Sequence, residues 1–151
     1  MFHLAIDPGA SGAYAIRYPD GTTEAHPFTC DSDFLAAMAT LASRAEQEHH
    51  SVTCTIEQVG GYVGKAQPGS SMFNFGRNFG YVLGVCQAFG FQIILTRPQV
   101  WQKAFPTKTK KNQNSAQHKR ELKDHATRLY PSLNPTLKTA DALLILHYAT
   151  T

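Results

Sequence analysis

The apolar run Phe2-His3-Leu4-Ala5-Ile6 stops at Asp7, and Pro8-Gly9 follow at once. A short apolar run bounded by a turn signal reads as a strand. The chain thus opens by holding a carboxylate at the mouth of a buried strand. Two more acids share that setting: Glu57 closes Val52-Thr53-Cys54-Thr55-Ile56, and Asp141 opens Ala142-Leu143-Leu144-Ile145-Leu146. Any fold of this chain must bring those segment edges to a place that tolerates carboxylates, which are rarely buried unless paired or ligating. Three of them on the edges of one core predict a metal site.

Around these edges the pattern is that of an α/β domain. Residues 2–7 and 12–18 read as strands about the turn Pro8-Gly9-Ala10-Ser11, and 22–29 as a third after the hairpin signal Pro19-Asp20-Gly21. Asp31 or Ser32 caps a helix to about Gln47, with Phe34, Leu35, Met38, Leu41 and Ala42 on one stripe. The β-branched run 52–57 suits a parallel central strand. Residues 58–70 hold five glycines or prolines and predict a mobile loop directly after an acid. A helix follows over 71–89, despite Gly76, Gly80 and Gly84, whose spacing permits close backbone approach. Residues 91–96 form a further strand, Pro98 starts a short helix through Trp101, and 106–114 are a polar linker. A helix over 115–130 turns Leu122, Ala126 and Leu129 inward, and a last helix starts near Thr139. The order βββαβαβαα predicts one domain over 1–151: a five-stranded mixed sheet with helices on both faces.

Charge is distributed unevenly along the chain. Residues 1–96 carry four basic side chains against eight acids, whereas 97–151 carry ten against three. A basic block of that kind suits a polyanion such as nucleic acid, and equally a solvated helix face. No apolar stretch approaches the roughly 20 residues of a membrane span, and no basic leader precedes the first apolar run. The expectation is a soluble intracellular protein with no membrane partner. Cys30, Cys54 and Cys86 are widely spaced among apolar neighbours and read as buried thiols.

The segments Ala5-Ile6-Asp7-Pro8-Gly9-Ala10-Ser11-Gly12, Ile56-Glu57-Gln58-Val59 and Thr139-Ala140-Asp141-Ala142-Leu143 resemble the three acidic motifs of RuvC-type Holliday junction resolvases. Between them, residues 71–80 and Arg97-Pro98-Gln99-Val100-Trp101-Gln102-Lys103 are similar to further segments of phage and bacterial members. The five segments span nearly the whole chain in the family's order. The resemblance implies a ribonuclease H-like fold and a magnesium-dependent endonuclease, with manganese able to substitute, that resolves four-way DNA junctions by paired nicks. It implies Asp7, Glu57 and Asp141 as metal ligands, with Asp7 touching both of two ions. Such ions prefer hard oxygen ligands and activate water against a phosphodiester. Asp7 as a turn cap, Glu57 as a surface strand end and Asp141 as a helix-terminus acid are the structural alternatives.

One position departs from the family. Members commonly carry a fourth acid or a histidine one helical turn before the last aspartate, and here that residue is Lys138. An ammonium cannot ligate a metal; it can neutralise the scissile phosphate, so a one-metal or lysine-assisted variant stays open. His118, His125 and His147 do not compensate. The resemblance places Lys119 near a basic residue that approaches the cleaved phosphate, which makes Lys138 and Lys119 catalytic candidates beside the acids. Lys119, Arg120 and Lys123 on the penultimate helix, the flexible loop of Lys108, Lys110 and Lys111, and Lys65, Arg77 and Lys103 are the candidate DNA contacts. Tyr62, in the loop after Glu57, either stacks on a base or covers apolar surface.

A junction with near two-fold symmetry implies a C2 homodimer; the helix over 71–89 is the interface candidate, and its Phe73, Phe75 and Phe79 read as core or interface residues. No small-molecule cofactor is expected. The implied location is the cytoplasm of a bacterium or phage-infected host, with an organelle left open. Rival readings are a junction-binding protein of the same fold with weak or lost catalysis, and a nuclease for other branched DNA or RNA–DNA hybrids. A sugar-kinase-like ATPase is too large for this chain.

Overall fold

A computed structural model describes residues 1–58, 60 and 69–151. Five strands lie in the order β3-β2-β1-β4-β5: β1 (Phe2–Asp7), β2 (Ala13–Arg17), β3 (Thr23–Pro27), β4 (Val52–Glu57) and β5 (Gln92–Thr96). The first three form an antiparallel meander, and β4 and β5 join the other side of β1 in parallel. The mixed sheet expected from the element order forms, with β2 and β3 shorter at both ends than the sequence pattern suggests.

Strand residues alternate between faces, and the two faces differ in side-chain size. One face presents Phe2, Leu4, Ile6, Val52, Cys54 and Ile56 to α1 (Asp31–Gln47) and α2 (Gly69–Ala88). The other presents Ala5, Ala13 and Ala15, which allow α5 (Ala140–Thr150) to lie close to β1 and β2. The second core is completed by α4 (Ser115–Leu129) and by Trp101 at the end of α3 (Pro98–Trp101). Residues 142–146 are fully buried there, so the helix that carries Asp141 is fixed by packing.

Several expectations are corrected. The N-cap of α1 is Cys30, in extended conformation with no side-chain cap bond, so Asp31 and Ser32 lie inside the first turn. Leu35 and Leu129 face solvent, because Ala45 continues the buried stripe of α1 and α4 rests on Leu122 and Ala126. Cys54 and Cys86 are buried, their Sγ atoms 3.8 Å apart, but Cys30 is exposed. Phe73 and Phe75 are exposed and take no part in the core, while Phe79 packs against it.

The turn after β1 depends on Gly12. A Cβ built there would lie 2.0 Å from the Asp7 carbonyl oxygen and 2.7 Å from that of Gly9. The Gly12 N–H donates to the Gly9 carbonyl, and the Gly12 carbonyl accepts from the Phe28 N–H, tying the turn to the strand beyond. Gly12→Ala is therefore expected to cost about 3 kcal/mol through overpacking, seen as a lowered urea midpoint at unchanged m-value.

Candidate metal centre and nucleic-acid interface

Asp7 and Glu57 end the two central strands side by side. The residues before them, Ile6 and Ile56, are register partners in the parallel β1–β4 pair. Alternation then sends both carboxylates to the face that α5 covers, because Ala5 lies on that face two residues before Asp7. Asp141 enters the same region from the first turn of α5, with only 6% of its surface exposed. Two strand ends and one helix start thus gather the three acids predicted from the sequence.

Electrostatics show how closely they interact. Burial first, and the charge of Asp141 second, raise the Asp7 carboxyl to about 6. Among the described residues its hydrogen bond is a long one, 3.5 Å, from the Gly9 N–H. Burial and then the charge of Asp7 raise Glu57 to about 7, against the opposing hydrogen bond from Trp101. Acids pushed this far by burial and by one another lack sufficient positive charge. Their hard oxygen donors suit a divalent cation such as magnesium.

The nearest protein cation is Lys119, whose Nζ donates to Asp141 Oδ2 at 2.9 Å. Burial works against the ammonium, but the Asp141 carboxylate outweighs it and raises the lysine above its ordinary value. Lys119 keeps 47% of its side chain exposed while it reaches Asp141, and Arg120 beside it is exposed too, with Lys123 half-buried. Among the described residues no three His, Cys, Asp or Glu side chains make a ready-closed ligand cluster. The acids sense each other's charge, yet Asp141 is turned to the ammonium and Glu57 to the indole of Trp101.

Lys138 is exposed and stands three residues before Asp141, in a turn where the Ala140 N–H donates to the Thr136 carbonyl and Thr136 Oγ1 accepts from the Lys138 and Thr139 N–H groups, as a helix N-cap does. The ammonium groups acting most strongly on Asp7 belong to Lys119 and Lys111. Arg77 is paired with Asp31 at 2.6 Å, tying α2 to α1. Tyr62 and Lys65 lie outside the described residues.

The lysine-rich segment is anchored where the sequence suggests a flexible loop. Thr109 donates from its N–H and its hydroxyl to the Glu121 carboxylate, both at 3.1 Å. His118 Nδ1 lies 3.0 Å from the Thr109 carbonyl, and His125 Nε2 2.7 Å from that of Pro106. These α4 side chains fasten the backbone while Lys108, Lys110 and Lys111 remain exposed. Arg120 is exposed and bonded to Gln117, Lys103 is exposed, and Lys123 is half-buried. His118 is buried, and the described atoms leave its Nε2 without a partner. The Trp101–Glu57 bond and the α4 anchor were not foreseen. An acid three residues after a histidine on one helix, Glu121 after His118, was the available signal for the anchor.

A hollow of about 660 Å³ lies elsewhere, lined by Ala42, His50 and Phe91 among others, and includes none of the acids. Among the described residues no helix is long and apolar enough to cross a membrane.

No family model and no curated protein matches the sequence. Similarity is found in three dimensions. The Thermus thermophilus RuvC structure in complex with a Holliday junction substrate matches with a TM-score of 0.60 and 12% sequence identity, covering 99% of this chain and 93% of that one. A second T. thermophilus RuvC structure matches with a TM-score of 0.50 and 13% identity over the same shares. Strand order, mixed sheet direction and full-length coverage together show that this chain has the ribonuclease H-like fold of RuvC.

Proposed function

We propose that the chain is a divalent-metal-dependent endonuclease that resolves four-way DNA junctions as a homodimer. The observation that carries this reading is the convergence of Asp7, Glu57 and Asp141 at one end of the central strands, short of positive charge, beside a basic helix and loop. Asp7, Glu57 and Asp141 would hold the metal. Divalent ions there supply activation of water and charge neutralisation at the leaving oxygen.

The protein groups do the rest. Lys119 holds Asp141 through an ammonium that a phosphate oxygen can equally accept from, so it places a positive charge beside the scissile group. Lys111 extends that charge toward Asp7, and Lys108 and Lys110 continue it along the anchored segment. Such contacts orient a backbone without reading bases. Paired nicks require two matched sites, which a C2 dimer supplies. The exposed Phe73 and Phe75 of α2 offer apolar surface for a second copy.

Labelled four-way junction, matched duplex and single strand, each incubated with magnesium or with EDTA, test the reading. The expected result is paired symmetric nicks in the junction alone, with magnesium alone, by a dimer in sedimentation. Equal cutting of plain duplex sinks junction selectivity, and cutting in EDTA sinks the metal requirement. Tight junction binding without any cutting identifies a binding protein, the rival supported by the engagement of Asp141 with Lys119.

The basic segment carries its own prediction. Replacing Lys108, Lys110 and Lys111 together by Ala is expected to reduce the slope of log K against log salt by about 2 to 3, at about 0.9 per phosphate contact. Filter binding across a salt series measures it. An unchanged slope removes these lysines from the interface.

A further inference from the structure

We infer that Trp101 is a positioning residue, whose indole N–H fixes Glu57 so that the second carboxylate oxygen stays available to a divalent cation. This rests on the reading of Glu57 as a metal ligand. The contact is Trp101 Nε1 to Glu57 Oε2 at 2.7 Å. It arises because Glu57 is the register partner of Thr96 at the end of β5, and Pro98 starts α3 two residues later. One turn of helix then returns the chain over Glu57.

The indole cannot readily turn away. Trp101 is fully buried, lies edge-on to Phe105 with ring centroids 6.2 Å apart, and belongs to the core formed with Leu122, Ala126 and α5. Its nitrogen only donates, so it holds one oxygen and competes for no cation. A tryptophan with a purely structural role could satisfy that N–H with a backbone carbonyl. Here it donates to a carboxylate that two like charges crowd. The rigidity of the core is thereby transferred to the side-chain angle of Glu57. Partners that orient ligating side chains typically contribute 10- to 100-fold in metal affinity.

The sequence contains a single tryptophan, so its emission reports on this contact directly. Metal is titrated without DNA, with magnesium followed by emission and manganese by calorimetry. Wild-type emission is expected to change saturably with magnesium, and Glu57→Gln to abolish that change. Trp101→Phe is expected to bind manganese about 10- to 100-fold more weakly while keeping the wild-type circular dichroism. Trp101→His, which restores an N–H donor, is expected to recover part of the loss.

If Trp101→Phe binds manganese as tightly as wild type while Glu57→Gln binds weakly, positioning is overturned and Glu57 remains a ligand. If Glu57→Gln also binds normally, both readings fall. Wild-type emission indifferent to saturating magnesium overturns the inference too, and requires no variant to fold.

Discussion

Asp7→Asn is expected to reduce junction cleavage by at least about a thousandfold while junction affinity stays within a few-fold of wild type. The loss follows from removing the carboxylate between the other two acids, at the end of the central strand. Metal-derived charge stabilisation amounts to several kcal/mol, and each 1.36 kcal/mol is a factor of ten in rate. Binding is expected to persist because the proposed reading assigns phosphate affinity to the lysines of α4 and the segment before it. The same substitution is expected to stabilise the metal-free protein. At neutral pH the folded chain bears an Asp7 charge that burial and Asp141 penalise, and relief is worth on the order of 2–3 kcal/mol. For a chain of this length that corresponds to roughly 5 °C or more in melting temperature. Single-turnover cleavage and a melting curve in EDTA check both halves. An active variant, or a less stable one, contradicts the assignment.

A second large effect is with pH, and it has opposite signs with and without metal. Asp7 titrates at about 6 and Glu57 at about 7 in the metal-free fold, whereas both titrate near 4 when unfolded. Between those values the folded chain holds more protons than the unfolded one. The stability this confers is fully present below about pH 4 and is lost as the pH rises through 6 to 7. Metal binding requires the deprotonated forms, so it is weak where the metal-free fold is firmest. Magnesium-supported cleavage is expected to fall by up to about a hundredfold per unit once both acids are protonated, the slope of two coupled protonations. Melting temperature in EDTA should decline from pH 5 to pH 8, and the increment due to magnesium should grow over the same range. A flat EDTA profile contradicts the raised carboxyls.

The acids were legible in the sequence because each ends or begins an apolar run, a one-dimensional signal that needs no knowledge of the fold. Their partners were not. Trp101 reads as core in a short helix, and its bond to Glu57 exists only because β4 and β5 are parallel with Glu57 opposite Thr96. Lys119 shares a charged helix with Arg120 and Lys123, and α4 packing on α5 is what directs it to Asp141. Lys138 was placed one helical turn before Asp141, but the cap that precedes it, Thr136 Oγ1 accepting from the Lys138 and Thr139 N–H groups, was not read from the sequence. The lysine loop looked free because lysines dominate it, yet its alternating threonines are what α4 grips. Periodicity located the elements well, and it failed where a contact depended on which elements meet.

The order in which the acids occur along the chain has a consequence for biosynthesis. Asp7 and Glu57 belong to strands made early, but Asp141 and Lys119 lie on the last two helices. At about 5–20 residues per second of translation, roughly ten seconds separate the making of Glu57 from that of Asp141. Throughout that interval the ribosome carries a chain whose sheet can pair while its third carboxylate does not yet exist. On the proposed reading, a nascent chain cannot bring the three acids together until α5 has been made and has packed on β1 and β2. A reporter fusion that stalls translation before residue 140 should yield chains that cut no junctions.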